Sequence, residues 1–373
     1  MTHWVSWAEN EAQTIKAAGQ WRTVRDLDGR GPTFSLGDET VVSFASNDYL
    51  GLSQHRGVVA AAHDALDRYG SGSGSARLIV GARRLHTELE AALAEWKRQD
   101  RAVLFSTGFM ANLGVMSVFA GTGVTVFSDA LNHASIIDGC RLGKAAVHIY
   151  PHNDLEYLDR ALSRANAGRA VAGRAIVVSD TVFSMDGDVA DLAALHAVAD
   201  RHGALLVLDE AHALLGPELA ADAPNVLRVG TLSKTLGSLG GFVTGPAPMI
   251  ELLINKARSF IFTTAATPAD TGAALAARRV LCSDEGTALL VRLRKGVEQL
   301  RPGHPSPIIS IVLGDEIRAL RASEDLRMSG LLVPAIRPPT VPSGTSRLRI
   351  TVSAAHADED IERLRCALAH LTV

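Results

Sequence analysis

Ala204-Leu205-Leu206-Val207-Leu208-Asp209-Glu210-Ala211-His212 is an apolar run that delivers an acid and an imidazole at its end. One short βα step later the pattern returns. The apolar run Val226 to Val229 opens into Gly230-Thr231-Leu232-Ser233-Lys234-Thr235-Leu236-Gly237, a small-residue loop holding a single lysine. Lysine is costly to leave at the end of a buried strand unless its amine has a task. Two consecutive strand ends therefore present a carboxylate, an imidazole and an amine.

Outward from this pair the same texture continues. Strands are predicted at Ala102–Phe105, Val124–Phe127, Val147–Tyr150, Ala175–Ser179, Ala204–Leu208, Val226–Val229 and Gly241–Thr244, most of them separated by helical patterns such as 111–119, 155–165 and 189–201. Strand and helix alternating at this spacing predict an α/β fold with a mostly parallel sheet covered on both faces. Sites in such sheets gather beyond the carboxyl ends of the strands. Residues 1–44 read as an N-terminal arm with a helix near 8–18 and a turn-rich segment at 26–32. Residues 45–265 read as a large domain. After residue 265 an Ala-rich helix (268–281) leads into helix and strand candidates at 289–300, 308–313 and 318–329, a Pro-rich loop at 334–342, a strand at 347–352 and a closing helix at 358–371. These make a smaller α+β C-terminal domain, 266–373.

The chain has 373 residues, 47% of them apolar and 21% charged, with net charge −3. That length suits two or three lobes rather than one small core. No Lys/Arg block predicts nucleic-acid or anionic-membrane binding. The three cysteines (Cys140, Cys282, Cys366) are far apart and odd in number, suggesting neither a disulfide framework nor a zinc or other metal site. No basic-then-apolar leader opens the chain and no apolar stretch is of spanning length, so the cytoplasm is the expected compartment.

A lysine, an acid and a histidine on neighbouring strand ends are the parts needed to hold pyridoxal phosphate (PLP). The lysine forms a Schiff base and the acid pairs with the pyridinium nitrogen. Asp-Glu-Ala-His after an apolar strand also resembles the acidic box of a helicase-type ATPase, but that reading needs a Gly-x-x-x-x-Gly-Lys-Ser/Thr loop, and none is present. Ser106-Thr107-Gly108-Phe109-Met110-Ala111-Asn112 opens a helix after the first large-domain strand. Alone it reads as ordinary capping; with Lys234 it reads as a phosphate cup, to which Thr231 and Ser233 would contribute. His133, in Asp129-Ala130-Leu131-Asn132-His133-Ala134-Ser135, is a core histidine or a flat platform for the cofactor ring. Ser184, in Val182 to Asp188, is placed to bond the ring oxygen or substrate, although Asp186-Gly187 also reads as a plain turn. Alternation puts Arg347 and Arg349 on one strand face. One is suited to clamping a substrate carboxylate, with Asn47 as a second ligand; both are equally suited to solvent.

Taken in order, Ser-Asn-Asp-Tyr-Leu-Gly-Leu (46–52), Gly-Ser-Gly-Ser-Ala-Arg (72–77), Ser-Thr-Gly-Phe-Met-Ala-Asn (106–112), Asn-His-Ala-Ser (132–135), Phe-Ser-Met-Asp-Gly-Asp (183–188), Asp-Glu-Ala-His (209–212) and the Lys234 loop resemble the α-oxoamine synthases, a branch of fold-type I PLP enzymes. The resemblance runs from about residue 20 to 370. It implies Lys234, His133 and Asp209 as catalytic residues, with His212, Ser184, Gly108, Phe109 and Thr231 around the cofactor. It implies Arg22, Asn47, Thr340 and Arg349 as substrate contacts. Thr264, or its neighbour Thr263, matches a threonine lent to the phosphate of a second subunit, so a homodimer with shared sites is implied. The stretch Thr340 to Thr351 with Ala354-Ala355-His356 is most similar to members that join L-alanine to a pimeloyl thioester of CoA or a carrier protein. Sister activities with another amino acid or acyl-CoA, and a non-catalytic subunit of the same fold, remain open. Two departures stand out: Ser233 replaces a common glycine, and the chain is shortened around 301–307.

Overall fold

Each of the seven apolar runs forms a strand, and all seven join one sheet. We label them β1 (Arg101–Phe105), β2 (Val124–Asp129), β3 (Ala146–Tyr150), β4 (Arg174–Asp180), β5 (Leu205–Asp209), β6 (Val226–Thr231) and β7 (Gly241–Gly245), ordered β1-β7-β6-β5-β4-β2-β3. The structure, a computed structural model, describes residues 3–167, 174–216, 218–219 and 223–371. Strands β6, β5, β4, β2 and β3 run parallel, whereas β7 runs antiparallel to both β6 and β1. The period of two divides the side chains between two apolar layers. Ile176, Val178, Val207 and Val229 enter one; Ala175, Val177, Leu206 and Leu208 enter the other. With both faces covered, the strand ends are what remains for polar chemistry.

Two helices position the site. Helix α1 (Gly108–Phe119) follows β1 and starts where the Thr107 hydroxyl accepts a hydrogen bond from Met110 N at 3.1 Å. Helix α2 (Ala134–Leu142) follows β2; its cap is the His133 ring, whose Nδ1 accepts from Ser135 N at 3.2 Å.

The described chain forms two compact units. The larger comprises Ser46–Ile309 and Thr351–Arg365, and the smaller Met1–Ala45, Ser310–Ile350 and Cys366–Val373. The units therefore divide elsewhere than at residue 265: the helices Pro268–Leu281 and Asp284–Leu300 lie in the larger one. The arm is also more than a helix and turns. Its helix spans His3–Ala17, and Asp28–Arg30, Thr33–Leu36 and Glu39–Ser43 form an antiparallel meander that Leu331–Leu332 joins in parallel. Among the described residues no helix is long and apolar enough to cross a membrane.

The Lys234 loop turns back on itself at Gly237, whose N–H donates to Lys234 O at 3.0 Å. Gly237 has φ +57°, and a Cβ there would lie 2.3 Å from Ser53 N. Gly237→Ala is expected to lower stability by about 1–3 kcal/mol from the left-handed backbone alone. A urea midpoint equal to that of the parent protein would show the turn to be unconstrained.

Candidate active site

Parallel register brings the strand ends level. Asp180, the last residue of β4, is the register partner of Asp209, the last residue of β5. Gly241, at the start of antiparallel β7, pairs with Thr231 and with Phe105, so the Lys234 loop and the start of α1 leave the sheet at the same edge. These elements enclose a cavity of about 260 Å³ lined by Thr107, Phe109, His133, Ser184, Asp209, His212, Lys234 and their neighbours. That volume suits one small ring with its substituents.

Lys234 Nζ lies 2.9 Å from His212 Nε2. His212 sits in a turn just past β5, and its Nδ1 is 2.5 Å from the hydroxyl of Tyr49, which in turn lies 3.3 Å from Asn47 Oδ1. Asp209 is 5% exposed and accepts from Asn112 Nδ2 at 2.6 Å and from Ala211 N at 2.9 Å. Asn112 also donates to Ser135 Oγ at 2.9 Å; because His133 Nδ1 accepts from Ser135 N, the Ser135 hydroxyl 2.8 Å from that nitrogen donates to it as well. With Nδ1 accepting, the neutral His133 ring carries its proton on Nε2. Desolvation by the surrounding protein lowers the His133 pKa; the Asp209 charge opposes this and the Lys234 charge adds to it. Solvent still reaches the exposed imidazole, which leaves it open to stack on a planar ring. Asp180 accepts from His133 N at 2.8 Å. Burial, and then the Asp209 charge beside it, raise its pKa well above the usual carboxylate range.

The chemistry of this donor set fits pyridoxal phosphate. Among the described residues no cation pairs with buried Asp209, and its bonded partners are two neutral N–H donors. A protonated ring nitrogen would supply the missing charge. The start of α1 offers unpaired main-chain N–H groups to a phosphate. Thr231 and Ser233 are less available than expected. The Ser233 hydroxyl lies 2.7 Å from Thr231 Oγ1, and Thr231 donates to Gly240 O at 2.9 Å.

The larger unit thus gathers Gly108, Phe109, His133, Ser184, Asp209, His212, Thr231 and Lys234 around one cavity. Asn47 reaches its edge through Tyr49. Thr264 does not line it; its carbonyl accepts from Ser106 Oγ at 3.0 Å, and its segment is held by Ala265 N donating to Ser75 O. Arg22, Thr340 and Arg349 belong to the smaller unit. Arg347 and Arg349 are 5% and 6% exposed, which removes the solvated alternative for both. Sequence reasoning passed over Tyr49, Asn112, Ser135 and Asp180. Asp180 carries the same signal as Asp209, an acid ending an apolar run; the others lie within quoted motifs but give no periodic cue.

A second charged cluster braces the Ser184 loop. His152 Nδ1 lies 2.9 Å from Asp129 Oδ1, and its Nε2 lies 2.7 Å from Asp188 Oδ2. Its ring meets Phe183 edge-on at 4.3 Å between centroids. Burial alone would lower the His152 pKa, but the two carboxylates outweigh it and raise the group to about 10.

Residues 39–368 match the family model described as aminotransferase class I and II. The chain is 47% identical over 378 residues to the 8-amino-7-oxononanoate synthase of Burkholderia mallei (strain SAVP1), covering 95% of each. Among solved structures, the serine palmitoyltransferase of S. paucimobilis with bound PLP–myriocin aldimine aligns with TM-score 0.89 and 31% identity, covering 98% of this chain and 97% of that one. An 8-amino-7-oxononanoate synthase from Francisella tularensis aligns with TM-score 0.72 and 27% identity, covering 89% and 96%.

The His152 cluster gives the fold a pH signature. A pKa raised above its unfolded value of about 6.5 adds stability that is complete below that value. The contribution is lost as pH rises through the folded value of about 10. Urea stability is therefore expected to decline over that window, and His152→Gln to flatten the decline. A variant with the parent slope would show that the cluster carries no net charge coupling.

Proposed function

Because this chain belongs to the class I and II aminotransferase family, and within it to the 8-amino-7-oxononanoate synthases, we propose that it condenses L-alanine with a pimeloyl thioester. Carbon dioxide and the free thiol leave, and 8-amino-7-oxononanoate, a biotin precursor, is formed. The observation that carries the reading is an amine at 2.9 Å from an imidazole, beside a buried carboxylate that no cation pairs with among the described residues.

Pyridoxal phosphate, when bound, supplies a positively charged aromatic ring that accepts the electrons of the broken Cα–H bond. The protein does the rest. Asp209 holds the proton on the ring nitrogen, its carboxylate fixed by Asn112 and the Ala211 N–H. His133 covers one ring face, and its Nε2–H is free to polarise the acyl carbonyl. Lys234 would hold the cofactor through its Nζ, and the same amine would serve as base for the Cα proton of alanine. His212 and Ser184 meet the ring oxygen. Arg349 would bind the alanine carboxylate, and Asn47, Thr340 and Arg22 would be further substrate contacts.

A homodimer belongs to the same reading. Leu78, Ile79, Val80 and Phe262 are 50%, 74%, 70% and 70% exposed, large apolar side chains on segments neighbouring Thr264. A second copy covering them would bring Thr264 to the neighbour's phosphate. The acyl carrier is CoA or a carrier protein, and the compartment is the cytoplasm. The close likeness to a serine palmitoyltransferase favours one second reading, a sister synthase taking serine or glycine with another acyl-CoA. CoA release measured side by side with alanine, serine and glycine separates the two.

PLP-loaded protein should show a visible band, and borohydride should trap the cofactor on the chain. Lys234→Ala should abolish that trapping, and a trapped adduct of undiminished yield would remove Lys234 from the role. Arg349→Ala is expected to raise KM for L-alanine about tenfold or more, the scale of one charge-assisted hydrogen bond, with PLP affinity little changed. Equal losses of both would make Arg349 structural.

A further inference from the structure

Tyr49 is fully buried, at 0% exposure, and lies 163 residues away in sequence from the histidine it touches. Its hydroxyl joins a continuous line of polar atoms: Asn47 Oδ1, Tyr49 Oη, His212 Nδ1, His212 Nε2 and Lys234 Nζ, at successive separations of 3.3, 2.5 and 2.9 Å across the three contacts. We propose that Tyr49 is a positioning residue for the Lys234 amine, acting through His212. The proposal rests on the reading above only in taking Lys234 as the amine that captures the cofactor aldehyde.

The direction of the line follows from donor and acceptor counts. An ammonium has three donors and no acceptor, so whenever Lys234 is protonated, His212 Nε2 must accept from it. A neutral imidazole accepting at Nε2 carries its proton on Nδ1, and that N–H needs an acceptor. Tyr49 Oη takes it at 2.5 Å and passes its own O–H to Asn47 Oδ1. Tyr49 therefore selects the His212 tautomer that stabilises a proton on Lys234. The same bond orients the Asn47 amide with its NH₂ group away from Tyr49, as a donor for a carboxylate. His212 is 7% exposed, so bulk water cannot replace a lost hydroxyl. His133, Asp180 and Asp209 are the other titratable groups facing the same cavity. Tyr49→Phe leaves them and the ring packing in place, so a change in the amine reports the hydroxyl.

The test reads the amine without turnover. Only a neutral amine attacks an aldehyde, so the rate at which cofactor-free protein captures PLP, followed by absorbance across about pH 6–9, reports the protonation of Lys234. Without the hydroxyl the ammonium loses support. The midpoint of the Tyr49→Phe profile should then fall by about half a unit to one unit, making capture below the midpoint about three- to tenfold faster. An unmoved or upward-shifted midpoint in a variant with the parent melting curve overturns the proposal. Should Tyr49→Phe fail to fold, Asn47→Ala replaces it: a smaller shift in the same direction supports the line, and an unmoved profile overturns it. A parent protein that captures no aldehyde ends the proposal through the identity of the amine, an outcome distinct from equal capture by parent and variant.

Discussion

A carboxylate buried to 5% exposure, with only neutral donors against it among the described residues, is the constraint on which the rest of the site depends. Burying such a charge is costly until something positive joins it. Asp209 is positioned rather than neutralised: the Asn112 amide and the Ala211 N–H fix its plane. The neighbouring groups respond to it. Asp180, level with it in the sheet, has a pKa raised by burial and by that charge. His133, whose pKa is lowered by desolvation, is tied to Asp209 through Ser135 and Asn112.

The next residue in the chain shows the opposite solution. The Glu210 side chain is likewise only 5% exposed, but Lys97 Nζ lies 2.7 Å from one of its oxygens and Arg228 Nη1 lies 3.0 Å from the other. Burial raises the Glu210 pKa, yet the two cations outweigh it and the net shift is downward. Strand alternation sends the two acids to different sides of the sheet end. One is satisfied within the protein as part of its frame, and the other is kept for a ligand. Adjacent acids with buried side chains thus have different partners, set by the side of the sheet end to which each points.

Much of this was legible because parallel strands buried on both faces leave near-continuous apolar runs. Each of β1 to β7 appeared in the sequence within about two residues, and Asp209, His212 and Lys234 stood at their ends. The meander at 28–43 gave no such signal: its first two strands are largely exposed, and their Asp, Gly and Thr content reads as turn. Tyr49 was invisible for a different reason. Its role depends on a contact across 163 residues, and no local period encodes that. Asn112 had the same difficulty, an amide inside a helix whose partners lie on β5 and α2. Helix 268–281 changes the composition of the chain, yet it lies in the larger unit.

Because β7 runs antiparallel between β6 and β1, Lys234 sits on a hairpin loop and not on a crossover. Both feet of the loop, Thr231 and Gly241, are paired strand residues of the central sheet. Inside it, Leu232 N donates to Gly240 O and Ser238 N to Leu232 O, so the loop is stitched across its own width. To shift the backbone that carries Lys234, the protein would have to unzip interior strands, an event on the scale of whole-domain unfolding. The Lys234 backbone is therefore anchored as firmly as the core itself, and adaptation to differently sized partners must come from side chains and the walls around it.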